Sequence, residues 1–263
     1  MPAVLANWSL LQFQSFVLIL MRVSPILFMM PILSSRNIPS MLKIGLALTV
    51  GLILLPLVKI DPRYLPREPF QFGSLMIAEL MIGFILSLSV QLIFAGIQMG
   101  GELVSFQMGF SMATVVDPQS EASTPVVSEF IYFMAILIFL AVDAHHWFFR
   151  AVYQSFLLLA PGEIHLRAGL YAHFLNLVGN LFVIAVKLAA PVLAVMMFTQ
   201  IALGILAKAV PQVNILMTSF SLTIGIGLLF LAFSIEPLLA YFEGLSQAAG
   251  KGLVFTLLPL MQR

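Results

Sequence analysis

The sequence predicts an all-α, polytopic protein of hydrophobic helical hairpins, set in a membrane or buried in a large hydrophobic assembly. Three observations predict it. Of 263 residues, 61% are hydrophobic and only 9% charged; soluble domains carry about 25% charged residues and need them to cover their surface. Apolar runs recur at about 20 residues or more, the length that crosses a bilayer as a helix. No segment alternates apolar and polar residues with the two-residue period of a strand.

The elements follow in order. Leu10–Met30, Met41–Val58 and Leu75–Ile97 are each expected to form one span. Phe130–Leu159, Phe174–Leu206 and Gln212–Phe242 are longer than one span requires. Each is interrupted inside: the first by Asp143, His145, His146 and Arg150, the second by Lys187 and Pro191, the third by Gly225, Gly227, Glu236 and Pro237. Kinked helices or hairpins fit such interruptions better than straight rods facing lipid. Two connections are long: the proline-rich KIDPRYLPREPFQFG at 59–73, and Gln98–Glu129. With six spans, the lysine and arginine bias places both termini in the cytoplasm and the 98–129 loop outside. The N-terminus has no basic segment and no small-residue cleavage site, so it is expected to stay in the mature protein.

Composition also excludes functions. A net charge of +1 without a basic cluster argues against nucleic-acid binding. The absence of cysteine excludes disulfides and Cys-ligated metals. No phosphate-binding loop follows Gly100-Gly101, and no Gly-x-Ser-x-Gly elbow occurs. His145 and His146 are adjacent, so on a helix they point about 100° apart and share one metal poorly. The plain reading of that segment is a polar break between helices, with Arg150 or a backbone group as the partner of Asp143. No enzyme, metal site or cofactor is expected.

Ionisable groups in apolar helices are costly and need partners. Arg22, Glu79, Asp143, Arg150, Lys187 and Glu236 are of this kind. They read either as an ion path or as groups paired inside a helical assembly, other subunits included; their scatter favours the second. Gly96-x-x-x-Gly100 lets two helix backbones approach closely, and Gly225-x-Gly227 loosens a helix or admits a neighbour.

The stretch GFSMATVVDPQSEASTPVVSEF, from Gly109 to Phe130, stands out from this background. Gly109 can act as a hinge. Phe110, Met112, Val115 and Val116 are apolar, while Ser111, Ala113 and Thr114 are small. Asp117-Pro118-Gln119-Ser120 reads as a turn, and Thr124-Pro125 as a cap launching the next helix. The stretch is either a connection folded on its own subunit or a compliant apolar seal, since an apolar constriction blocks ions by dewetting and methionine repacks easily.

Three stretches carry a resemblance that covers essentially the whole chain. They are Gly109-Phe-Ser-Met-Ala-Thr-Val-Val-Asp117-Pro118-Gln119; Ala207-Lys208-Ala-Val-Pro211-Gln212-Val-Asn214 with Gly225-Ile-Gly227; and Arg22-Val-Ser-Pro25 with Pro31 and Pro39. In these the chain resembles the FliR/SpaR/YscT family of type III secretion export-gate subunits, in a flagellar more than an injectisome form. The resemblance implies a non-enzymatic subunit that packs with FliP and FliQ, joined by FlhB, into a helical gate. That gate conducts unfolded flagellar proteins at the inner-membrane base of the flagellum, partly above the bilayer plane. It implies a FliP-like part at 1–186 and a FliQ-like hairpin at 187–263. It places a pore plug on Gly109–Gln119, and subunit packing or buried charge on Arg22, Glu79, Gly96, Gly100, Lys187, Lys208, Pro211, Gln212, Asn214 and Glu236. A self-contained transporter is the competing reading, but the two halves show no clear inverted repeat.

Overall fold

The computed structural model describes residues 10–34, 38–66, 68–110, 126–164, 168–209 and 215–262. The helices are α1 (Leu10–Met29), α2 (Ser40–Leu54), α3 (Pro69–Gln107), α4 (Val126–Ala141), α5 (His145–Leu158), α6 (Ala168–Ala209), α7 (Ile215–Gly252) and the short α8 (Leu258–Met261). Among the described residues there is no strand, as the missing two-residue period requires.

Among the described residues four helices are long and apolar enough to cross a membrane, and the broken pair α4–α5 brings the total to five if it makes one span. Six spans were expected, and the difference lies in α2. Its 15 residues extend only about 22 Å, short of the roughly 30 Å hydrocarbon layer. The side count that assumed six spans does not carry over. In the other direction, α3, α6 and α7 have 39, 42 and 38 residues, about 57–63 Å each. Each is about twice as long as one crossing needs.

Helix α3 also runs through Gly100-Gly101 to Gln107, so the long connection begins about ten residues later than Gln98. Of the three interrupted stretches only the first is broken, at Val142–Ala144. Helix α6 continues through Pro191, and α7 through Gly225, Gly227 and Pro237. One freed carbonyl per proline costs less than ending a helix in apolar surroundings, where every backbone group beyond the end would need a new partner.

The chain divides into two compact units, interleaved in sequence. The first holds 1–92, 143–177 and 247–263. There α2 packs on α1, with Gly51 against Phe16. A π-helical turn, Leu253–Leu257, and α8 pack on α5, with Trp147 filling the space beside Gly250. The second unit holds 93–142 and 178–246. Its core stacks Phe94 edge-on against Tyr132 and Phe139, at 6.1 and 5.5 Å between ring centres, a favourable quadrupole arrangement. Large apolar side chains remain exposed in both units, among them Phe70, Met41, Phe198 and Phe233. Such surface marks contact with lipid or protein.

Candidate functional site

Two places hold the sequence-predicted residues. In the first unit, Arg22 of α1 and Glu79 of α3 are both 0% exposed and form a two-pronged ion pair, Nε to Oε2 at 2.5 Å and Nη2 to Oε1 at 2.9 Å. Nη1 donates to Ser155 Oγ at 3.3 Å, and both Nη groups reach the Leu159 carbonyl at 3.5 Å. Every N–H of the guanidinium therefore has an acceptor. The Phe156 ring lies 4.1 Å from its carbon, in cation–π range. Glu79 Oε1 also accepts from the Gly162 amide at 3.1 Å.

The local sequence makes this possible. Gly83, one turn after Glu79, has no β-carbon, and one there would collide with the Arg22 carbonyl. The carbonyl of Met21, freed by Pro25 inside α1, accepts from the Ser24 hydroxyl at 3.4 Å. Buried charge was expected to be paired inside a helical assembly, other subunits included; for Arg22 and Glu79 the partner lies in the same chain. Ser155 and Gly162 were missed, because separations of 133 and 83 residues leave no trace in a local pattern.

In the second unit, α3 presents glycines to two neighbours. A β-carbon on Gly96 would sit 2.9 Å from the Leu181 carbonyl oxygen, and one on Gly100 2.9 Å from that of Ala185, both on α6. Gly101 meets Ser128 of α4 instead, whose hydroxyl donates to the Gln98 carbonyl at 3.1 Å. Helix α3 then ends in a Schellman motif: the Gly109 amide donates to the Phe106 carbonyl at 3.0 Å and the Phe110 amide to that of Ser105 at 3.1 Å. Gly109 has φ +89°, where a side chain is strained.

The residue before it is anchored. Met108 is 0% exposed. Its carbonyl lies 3.2 Å from the Thr223 hydroxyl of α7, which also reaches the Phe220 carbonyl at 3.1 Å and shares its one proton between them. The Met108 side chain occupies the notch left by Gly227, beside Met196 of α6. Gly225, by contrast, has nothing within 4 Å of where a β-carbon would be. Of the predicted seal, Gly109 and Phe110 are placed here, while Ser111–Gln119 lie outside the described residues. So do Thr124 and Pro125, immediately before α4, and Pro211, Gln212 and Asn214. Lys187, Lys208 and Glu236 are exposed.

The Asp143 segment departs from expectation. Asp143 stands at φ 54° and its carboxylate lies 3.5 Å from His146 Nδ1, so His146, and not Arg150, is its partner. Arg150 lies over the Trp147 ring at 5.3 Å. Adjacent histidines were expected to diverge, yet their rings sit 4.2 Å apart, and one donor atom each from Asp143, His145 and His146 falls within 4.8 Å of the others. The 100° separation governs β-carbons, and the side-chain torsions beyond them bring the rings together.

Residues 13–249, which include both places, match the family model of bacterial export proteins, family 1. The chain belongs to that family. It is similar to the flagellar biosynthetic protein FliR of Bacillus subtilis strain 168, 33% identical over 222 residues, covering 83% of this chain and 85% of that protein. The flagellar biosynthetic protein FliR of Pectobacterium carotovorum subsp. carotovorum is 32% identical over 232 residues, covering 86% and 85%. FliR of Escherichia coli K12 is 30% identical over 223 residues, covering 85% and 84%. The match to bacterial export proteins stops short of the π-helical turn and α8, which lie beyond residue 249.

Proposed function

We infer that this chain is a non-enzymatic subunit of the flagellar type III protein export gate, with Gly109–Gln119 as the apolar plug of the closed pore. Its partners are FliP, FliQ, FlhB and the unfolded flagellar proteins that pass through. Its place is the inner membrane at the flagellar basal body. The observation that carries the reading is the base of the loop. The segment Phe110–Val116 follows a helix end that is capped, with Met108 buried and its carbonyl tied to α7, as a seal with a fixed root would be. Relatives that bear the name FliR support the flagellar form over the injectisome form.

Helices twice the length of one crossing support a complex that stands partly above the bilayer. The long pair α6 and α7, packed through Met196 and Gly227, supports a FliQ-like hairpin at 187–263 beside a FliP-like part at 1–186. Deleting part of Phe110–Val116 tests the plug. The complex is expected to assemble with its partners while small ions leak through it, measured as conductance in bilayers and as lost motility. Unchanged permeability in an assembled complex overturns the plug.

A further inference from the structure

We propose that Thr223 and Gly227 of α7, with Met196 of α6, form a catch that holds the base of the loop and thereby keeps the gate shut. The proposal rests on the plug reading and adds the residues that position the plug. Three contacts meet at Met108. Its carbonyl takes the Thr223 hydroxyl proton at 3.2 Å. Its side chain seats at Gly227, where a β-carbon would lie within 2.8 Å of Met108 and of Met196 Cε. Gly109 next to it lies against Phe220 and Thr223, at 3.7 Å from both for a β-carbon position. Because Met108 sits inside the Schellman motif, its position sets where Gly109 and Phe110 lie.

The catch is built to release. Of its contacts only the Thr223 hydrogen bond is directional; the Met108 side chain lies at Gly227 beside Met196, and methionine repacks easily. Its one directional bond shares a proton with Phe220. Ser105, three residues before Met108 and on the same face of α3, is 0% exposed with a hydroxyl that has no partner among the described residues. An unpaired buried hydroxyl disfavours the arrangement that holds it. The closed base therefore carries a cost that an opened base, admitting water or a new partner, would shed. A small movement of α7 that withdraws Thr223 and narrows the notch at Gly227 would free the loop's root.

The experiment compares ion conductance of the purified gate complex across five forms: wild type, the Phe110–Val116 deletion, Thr223→Val, Gly227→Val and Gly225→Val. Co-purification of partners confirms assembly in each. Thr223→Val keeps the shape and removes the proton; Gly227→Val fills the notch; Gly225→Val adds the same bulk where nothing lies within 4 Å. Thr223→Val and Gly227→Val are expected to leak several-fold more than wild type, and Gly225→Val at the wild-type level. If the deletion leaks while Thr223→Val and Gly227→Val stay tight, the catch is overturned and the plug stands. If the deletion itself stays tight, the plug reading fails and the catch falls with it. Should Gly227→Val not assemble, Thr223→Val alone decides.

Discussion

The two compact units are held by different physics. The first closes around a pair of charges: Arg22 and Glu79, buried to 0% exposure, with every guanidinium N–H on an acceptor. The second closes around absences of side chain: Gly96 and Gly100 against α6, Gly101 against α4, Gly227 against Met108. A bidentate pair has one good arrangement and penalises every other, since its charges cannot be left unpaired in apolar surroundings. The methionine contacts at Gly227 have several near-equal arrangements. The first unit is thus built around one arrangement, whereas the second leaves room for more than one where Met108 meets Gly227 and Met196.

Breaking the charge pair should give the largest effect. Glu79→Ala leaves a buried guanidinium facing its lost partner, and removing one member of a buried pair costs about 3–5 kcal/mol. Against an ordinary stability of about 5–15 kcal/mol that is a large part of the margin. The expected outcome is near-complete loss of the chain from membranes, read by immunoblot. Replacing both partners, as Arg22→Met with Glu79→Leu, removes the charges together. It is expected to recover most of the level, because well-packed apolar pairs often match buried ion pairs. A double variant as poor as Glu79→Ala would mean that the Ser155, Leu159 and Gly162 contacts, and not the charge balance, hold the first unit.

The glycine contacts come next. Gly100→Val drives a side chain into the Ala185 carbonyl and the Leu188 side chain, and overpacking of this kind costs about 1–3 kcal/mol. Gly179→Ala, on the same long helix α6 but with nothing within 4 Å, should instead stabilise by up to about 1 kcal/mol through helix propensity. Thermal unfolding of the detergent-purified complex should lower the midpoint for the first and leave or raise it for the second. Equal effects would show that backbone propensity, and not close approach, sets the worth of these glycines.

What could be read in advance follows the same division. Helix content and the Gly96/Gly100 approach are local signals: apolar length and a four-residue spacing. The buried charges were readable as costly residues, but their partnership was not, because nothing near Arg22 points to a residue 57 positions away. Kinked helices and hairpins were both open at Pro191 and Pro237, and α6 and α7 run on through them, a choice that the local propensity of proline and glycine does not make. In apolar surroundings the backbone's need for hydrogen bonds outweighs that propensity. The loop's root shows both cases at once. Gly109 was readable as a special backbone position and ends α3 at positive φ, whereas Thr223, which bonds the Met108 carbonyl beside it, lies 115 residues from Met108.

The smallest effect is expected where the same charge chemistry meets water. The Asp143 carboxylate lies 3.5 Å from His146 Nδ1, with side chains 73% and 68% exposed. Exposed pairs contribute roughly 0–1 kcal/mol. Asp143 also holds φ 54°, a conformation glycine adopts without strain. Asp143→Gly therefore loses a weak pair and relieves the backbone, and the two nearly cancel. The unfolding midpoint of the complex should stay within a degree or so of wild type, a change of about 0.5 kcal/mol or less. His146→Gln should do the same. A drop comparable to that of Glu79→Ala would place a second essential charge pair in the first unit, and burial would no longer explain why Arg22 and Glu79 matter.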